Sequence, residues 1–311
     1  MVFIWQLSIL TLSSKTIING VALKAKYPGN NKRKSIFNNL INLLNSYTKT
    51  PFKNSELILQ LNNKEFQTTT NSHGAFELEL DFTLEEEPEI SILYQDEKLK
   101  IVQDYPVFFK DSVSNLHVIS DIDDTILISH TANIFKRIGV MSLITPEKRR
   151  TIEFTKKLLS LLNKSSCNVF YISKSESNLF RIIHTFIKFN QLPKGILLLT
   201  PYLNFKQLLI EKKGKDFKLK TIQFILENSK DKKFILFGDD TQKDMEVYAM
   251  IAKAFPEKIA RIYIRQTTKN ISKRKRMLWE NLNEIFPNSV YFNQHTNIEL
   301  ELKYIENLII P

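Results

Sequence analysis

Residues 116–129 read LHVISDIDDTILIS. An apolar run from Leu116 to Ser120, carrying the β-branched Val118 and Ile119, stops abruptly at three carboxylates, Asp121, Asp123 and Asp124, followed by the hydroxyl of Thr125. Carboxylates crowded at the end of a buried strand lose hydration and repel one another. Such a pattern is expected where a cation or proton chemistry offsets that cost, and Mg²⁺ with its hard oxygen ligands is the usual remedy. An isolated Asp-x-Asp is equally compatible with a solvated acidic turn, so the residues around it must decide.

Downstream of Val113 the pattern alternates between short apolar runs and helical periodicity, which predicts βαβ units and a parallel sheet with helices on both faces. A helix is expected from Thr145-Pro146-Glu147 to about Leu162, and a second strand from Asn168 to Ile172, ending in Ser173. Next come a helix with Leu179, Ile182, Ile183, Phe186 and Ile187 on one face, then a strand from Gly195 to Leu199. Lys218 opens a helix carrying Ile222, Ile225 and Leu226. A fourth strand, Lys233 to Phe237, runs into Gly238-Asp239-Asp240, and Asp244 follows Asp239 by five residues. A helix to Phe255 and a strand from Ile259 to Ile264 complete the unit. Ligands of open parallel sheets sit beyond the carboxyl ends of the strands. That edge would gather Asp121, Asp123, Thr125, Ser173, Lys218, Asp239 and Asp244, a set suited to phosphoryl transfer. Carboxylates from two strands can hold Mg²⁺, a further carboxylate can attack phosphorus or move a proton, and Ser173 with Lys218 can hold the charged oxygens.

Upstream, residues 16–105 follow a different period. Leu57, Leu59 and Leu61 alternate with polar residues, as do Phe76, Leu78, Leu80 and Phe82, then Ile90, Ile92 and Tyr94, the mark of half-buried antiparallel strands. Asn62-Asn63 suits a tight hairpin, and Asn71-Ser72-His73-Gly74 supplies a position with φ > 0. Ile36, Phe37, Leu40, Ile41 and Leu44 fall on one helical face. Met1–Leu12 is apolar, has no basic residue ahead of it, and is expected to form an edge strand rather than a signal peptide. The expected organisation is a small β-sandwich-like domain with one inserted helix over residues 1–112, an α/β domain over 113–270, and a packing extension over 271–311.

Lys and Arg outnumber Asp and Glu by 44 to 33, for a net charge of +11. This excess favours encounters with anionic partners without choosing among them. Its densest runs, Lys32-Arg33-Lys34 and Lys273-Arg274-Lys275-Arg276, read first as solvated faces and only weakly as a membrane-binding surface. The single Cys167 excludes an internal disulfide framework and fits a reducing compartment, with the cytoplasm as the default.

The DIDDT stretch after an apolar strand, Ser173 after the next, Lys218, and GDDTQKD resemble the four motifs of the haloacid dehalogenase superfamily. With ISDIDDTI, FYIS, FKLKTIQFIL, KKFILFGDDTQKDMEVY and AFPEKIARIYIR, and NSHGAFELEL in the preceding β region, the chain resembles more narrowly the actin-patch-associated phosphatidate phosphatase family and its bacterial relatives. That resemblance implies a haloacid-dehalogenase-like sheet and Mg²⁺-dependent conversion of phosphatidate to diacylglycerol through a phosphoaspartate. It makes Asp121 the nucleophile and a metal ligand, and Asp123 the general acid/base with its backbone carbonyl on the metal. Asp239 and Asp244 would complete the metal surroundings, Ser173 and Lys218 would bind the phosphoryl group, and Thr125 would support the loop beside it. The implied partner is phosphatidate or a related anionic phospholipid at a membrane surface, with the enzyme peripheral to it and nucleic acid not expected. Lys174, Arg149 and Arg150 add positive charge around the pocket. Two alternatives remain open on the residues alone: a phosphatase of a soluble metabolite, phosphoprotein or nucleic-acid end, and a non-catalytic adaptor.

Overall fold

In the computed structural model of the chain, residues 1–25, 49–127, 151–202, 217–241 and 243–309 are described. The expected helix over 36–44, the basic run at 32–34, Arg149, Arg150 and the helix start at 145–147 lie outside them. Two compact units emerge. The first comprises Met1–Asp111 with Lys174–Thr185 and Leu199–Gly214, and the second Ser112–Ser173, Phe186–Leu198 and Lys215–Pro311.

The first unit contains ten strands among the described residues: β1 (Val2–Thr11), β2 (Thr16–Lys24), β3 (Thr50–Pro51), β4 (Glu56–Leu61), β5 (Lys64–Thr69), β6 (Ala75–Leu80), β7 (Ile90–Tyr94), β8 (Glu97–Lys98), β9 (Lys100–Ile101) and β10 (Phe108–Phe109). They form a six-stranded sheet built on β1 and β2 and a four-stranded sheet in the order β5-β4-β7-β8. Alternate residues of both sheets, among them Ile4, Leu7 and Ile18 from one and Leu57, Leu59 and Ile92 from the other, share one core. This is the burial that period-two alternation demands. Asn62 turns the β4–β5 hairpin with φ 52°. Gly74 has φ +72°, and a Cβ there would lie 2.4 Å from the Ala22 carbonyl oxygen, so glycine answers both constraints.

The expectation that Met1–Leu12 is an edge strand fails. β1 pairs antiparallel with β2 on one side and parallel with β9 and β10 on the other. Between those two short strands the Gln103 side chain takes the place of a backbone partner: its Oε1 accepts from Leu7 N at 2.7 Å and its Nε2 donates to Leu7 O at 3.0 Å. A strand with nine of its ten residues buried needs both edges satisfied. The partners that satisfy this one come from roughly a hundred residues downstream, in segments too short to announce themselves.

A parallel α/β sheet makes up most of the second unit, with the ends of two of its strands and the start of one helix falling within Lys174–Thr185 and Leu199–Gly214. Its strands are β11 (Leu116–Ser120), β12 (Val169–Glu176), β13 (Ile196–Thr200), β14 (Lys233–Asp239), β15 (Ile259–Arg265) and β16 (Ser289–Phe292). The order β13-β12-β11-β14-β15-β16 places the direction reversal between β11 and β14, the switch point at which open sheets make their crevice. β11 is buried throughout, consistent with a run apolar on both faces. The helices are α1 (Glu153–Lys164), α2 (Phe180–Phe189), α3 (Phe217–Asn228), α4 (Asp244–Ala254), α5 (Lys273–Ile285) and α6 (Ile298–Ile309). In α1, Phe154, Thr155, Leu158, Leu159 and Leu162 form the buried stripe, with Glu153 in the first turn and Lys164 in the last, as the helix dipole favours.

Two boundaries differ from expectation. A continuous helix from 145 is excluded, because Thr151 bridges antiparallel to Leu127 and Ile152 is extended; α1 begins at Glu153. The second strand does not stop at Ser173 but runs on to Glu176, where the Thr200 hydroxyl donates to the Lys174 carbonyl at 3.1 Å. Residues 271–311 contribute β16, which pairs parallel with β15 and makes the sixth strand of the sheet. Among the described residues no helix is long and apolar enough to cross a membrane.

Candidate active site

β11 and β14 run side by side and end together. Ser120 is in register with Phe237, and Asp121 N donates to Phe237 O at 2.9 Å. Asp121 and Asp239 are therefore delivered to the same point by neighbouring strands. Asp244 arrives from the first turn of α4, a position where the helix dipole favours a carboxylate. Its approach requires Gly238: a Cβ there would sit 2.7 Å from Asp244 Cβ and 2.8 Å from its Oδ2. Asp244 Oδ2 also accepts from Asp239 N at 3.2 Å.

Lys218 enters on the buried stripe of α3 that otherwise holds Ile222, Ile225 and Leu226. Its ammonium, 1% exposed, donates to Asp121 Oδ1 at 3.0 Å and to Asp244 Oδ1 at 2.5 Å. Asp121, Asp239 and Asp244 are all fully buried, and one carboxylate oxygen from each lies within 4.8 Å of the others. At an effective dielectric of about 20, two unit charges at such a distance repel by about 3.5 kcal/mol. Three carboxylates against one ammonium leave a formal charge of minus two in a buried site. Burial accordingly raises the Asp121 carboxyl well above its usual range, with Asp244, Asp239 and Asp123 adding to the rise and Lys218 opposing it. Burial and Asp244 push Asp239 up to about 7, against hydrogen bonds from the Thr241 amide and hydroxyl. Burial alone would lower the Lys218 ammonium, but Asp121 and Asp244 carry it above its ordinary value.

The loop after β11 is held by backbone contacts. Asp124 adopts φ 56° and donates its amide to Leu127 O at 2.7 Å. The carbonyls of Thr125 and Ile126 accept from the Thr155 hydroxyl (2.9 Å) and Ile152 N (2.9 Å), so the start of α1 clamps the loop. Thr125 Oγ1 lies 3.5 Å from Asp121 Oδ2. Asp123 points elsewhere: its Oδ2 accepts from Ser173 Oγ at 3.3 Å, and its carboxylate is not one of the close trio. The sequence-derived residues thus fall into three adjoining groups. Asp121, Lys218, Asp239 and Asp244 form a charged cluster, Asp123 and Ser173 form a hydrogen-bonded pair, and Thr125 lies beside Asp121.

Three further residues escaped the sequence reading. Arg265, at the end of β15, donates to the Asp124 carbonyl at 2.6 Å. Thr241 holds Asp239, as given above. Asp240, beside Asp239, turns away from the cluster. It forms an ion pair with Lys275 Nζ at 2.9 Å and accepts from Tyr291 OH at 2.7 Å, from the Thr267 amide at 3.2 Å and from the Thr267 hydroxyl. Lys275 belongs to the basic run first read as a solvated face, and in the structure it points inward. The only sequence signal for Asp240 was its adjacency to Asp239.

Chemically, three hard-oxygen ligands with an excess of two negative charges match a divalent cation such as Mg²⁺, which the buried donor set would hold through Asp121, Asp239 and Asp244.

Residues 116–266 match the family described as phosphatidate phosphatase APP1, catalytic domain. An uncharacterized protein of Schizosaccharomyces pombe is 26% identical over 212 residues, covering 65% of this chain and 34% of that protein. Phosphatidate phosphatase APP1 of Saccharomyces cerevisiae is 30% identical over 161 residues, covering 50% of this chain and 26% of its own length. The chain therefore spans only about a quarter to a third of the curated relatives it matches. A class C acid phosphatase from Bacillus anthracis, with tungstate bound, superposes with a TM-score of 0.33 and 14% identity over 64% of this chain and 81% of its own, too distant to carry weight. The segment 116–266, just under half of the chain, thus resembles the phosphatidate phosphatase APP1 catalytic domain.

Proposed function

We propose, taking that family resemblance as the premise, that the chain is a phosphoric monoester hydrolase acting on phosphatidate, with Mg²⁺ as cofactor and Asp121 as nucleophile. The observation that carries this reading is the buried cluster of Asp121, Lys218, Asp239 and Asp244 at the switch point of the sheet. A binding module has no physical need for three carboxylates and an ammonium in one dry site. When bound, a divalent cation would offset the excess negative charge and screen the phosphate from the attacking carboxylate.

The chain's own residues supply the remaining chemistry. An Asp121 carboxylate oxygen forms a bond to phosphorus as the bond from phosphorus to the glycerol oxygen breaks. Asp123, hydrogen-bonded to Ser173, gives its proton to the departing oxygen, and diacylglycerol leaves. Asp123 then takes a proton from water, whose oxygen attacks the phosphoaspartate, so that inorganic phosphate is released and Asp121 regenerated. Ser173 and Lys218 would hold phosphoryl oxygens, and the hydrogen bond from Lys218 to Asp121 supports a second part for it in orienting that carboxylate. Tyr248, whose hydroxyl donates to Phe237 O at 2.8 Å, braces the strand end that carries Asp239. The reading places the protein in the cytoplasm, peripheral at an acidic membrane surface, in keeping with its net charge of +11.

The test is phosphate release from dispersed phosphatidate, with Mg²⁺ and with chelator, for wild type beside Asp121→Asn. Release that needs both Mg²⁺ and Asp121 is the expected result. Release only from soluble phosphomonoesters would keep the chemistry and discard the lipid; no release from any monoester would discard the enzyme.

A further inference from the structure

The second unit holds a cavity of about 680 Å³, within the range of sites for small ligands. Its apolar lining is limited to Ile152, Phe154, Phe292 and Ile298, with Phe154 and Phe292 stacked at 4.2 Å as part of the wall. The rest is polar, and the balance of charge is positive: Lys157, Arg265 and Lys269 against one carboxylate, Glu153. Glu153 already accepts from the Thr151 hydroxyl at 3.2 Å. Among the described residues neither Lys157 nor Lys269 has a carboxylate within ion-pair distance. Glu153 and Ile298, the first residues of α1 and α6, both line the cavity, so the positive ends of two helix dipoles lie at its wall. Those cations and helix N-termini attract an oxyanion.

Two residues join this cavity to the catalytic cluster. Arg265 lines it while donating to the carbonyl of Asp124, and among the described residues that is the one hydrogen bond its guanidinium makes, leaving most of its five donors for a ligand. The guanidinium also lies 3.9 Å from Asp124 Oδ1, the one carboxylate among the described residues within ion-pair distance of it. Thr267 lines the cavity while its amide and hydroxyl hold Asp240, next to Asp239.

We propose that this cavity binds a second oxyanion, a phosphate group distinct from the phosphoryl group at Asp121, through Lys157, Arg265 and Lys269. The anion is either the headgroup of a neighbouring anionic lipid or a second phosphate on a soluble molecule. Its link to turnover rests on the hydrolase reading, but its binding does not.

The test separates the two. Inorganic phosphate is titrated calorimetrically into the full chain in the presence of a chelator, a condition in which the acidic cluster repels phosphate and the heat reports the cavity. Binding is expected in wild type and in Asp121→Asn, about tenfold weaker in Lys157→Ala/Lys269→Ala, and restored in Lys157→Arg/Lys269→Arg. No heat in wild type, or an isotherm unchanged by the double alanine variant, overturns the proposal. Turnover then identifies the source. If phosphatidylserine added to phosphatidylcholine vesicles stimulates phosphatidate hydrolysis by wild type and not by the alanine variant, the anion is a lipid headgroup. If the variant instead loses a KM advantage for a soluble bisphosphate over p-nitrophenyl phosphate, it is a soluble phosphate. If both comparisons match wild type, the cavity has no part in turnover.

Discussion

Asp239 and Asp240 are neighbours in sequence and both buried, yet their surroundings are opposite in kind. Asp239 faces Asp121 and Asp244, with Lys218 as the one cation among them and its carboxyl pushed up to about 7. Asp240 faces an ammonium that pairs with it and a phenol, an amide and a hydroxyl that donate to it. Burial with Asp240 adjoining also raises the Tyr291 phenol, which keeps it protonated as a donor. One carboxylate sits in a cluster that folding must tolerate and the other in a cluster that holds the fold together. Alternation along an extended backbone is what separates them, since successive side chains point to opposite sides.

The sharpest way to break this comparison is to remove one charge from each cluster. Asp121→Asn is expected to lower phosphomonoester turnover by at least about 10³-fold, while leaving resistance to urea equal to or above wild type, because it relieves repulsion among buried carboxylates. Asp240→Asn is expected to do the reverse, lowering unfolding free energy by about 3 kcal/mol because it strands Lys275 opposite a neutral amide, with turnover of the surviving folded protein much less affected. Similar urea midpoints for the two variants would erase the distinction.

A smaller effect sharpens it. Magnesium should raise thermal stability in wild type, by about 2.7 kcal/mol at a hundred times its dissociation constant, and should do so equally in Asp240→Asn but not in Asp239→Asn. Stabilisation that survives in Asp239→Asn would place the cation elsewhere. The smallest effect is in pH. A carboxyl at about 7 in the folded chain, against 3.8 unfolded, binds its proton more tightly when folded. Its stabilising contribution is therefore complete below about pH 4 and is lost as pH rises towards 7, at up to about 1.4 kcal/mol per pH unit, with no further change above. Urea titrations in chelator should show this fall in wild type and a shallower one in Asp239→Asn, whose side chain cannot titrate.

Much of this was legible in the chain. Val118 and Ile119 ahead of Asp121, and the apolar run ahead of Asp239, announced buried strands ending in charge, and the structure brings those ends together. Lys218 was legible as the residue that opens the helix carrying Ile222, Ile225 and Leu226. Arg265 was not, because a basic residue at a strand end looks like any solvated terminus until Asp124 O is seen 2.6 Å away. Nor were the inward turn of Lys275 and the separation of Asp123 from the trio of buried carboxylates, since neither contact is local.

Local chemistry determined which segments are strands and helices, that one half of the chain alternates with period two and the other builds a parallel sheet, and which carboxylates terminate the strands of that sheet. Those outcomes follow from side-chain periodicity and desolvation, which act over a few residues. Tertiary structure alone decided that β1 is interior, that Asp240 anchors while Asp239 joins the cluster of buried carboxylates, and that three cations line a cavity beside the loop after β11. Each of these depends on groups brought together from tens to about a hundred and forty residues apart, and strand order and register, which no local pattern encodes, determine which groups meet.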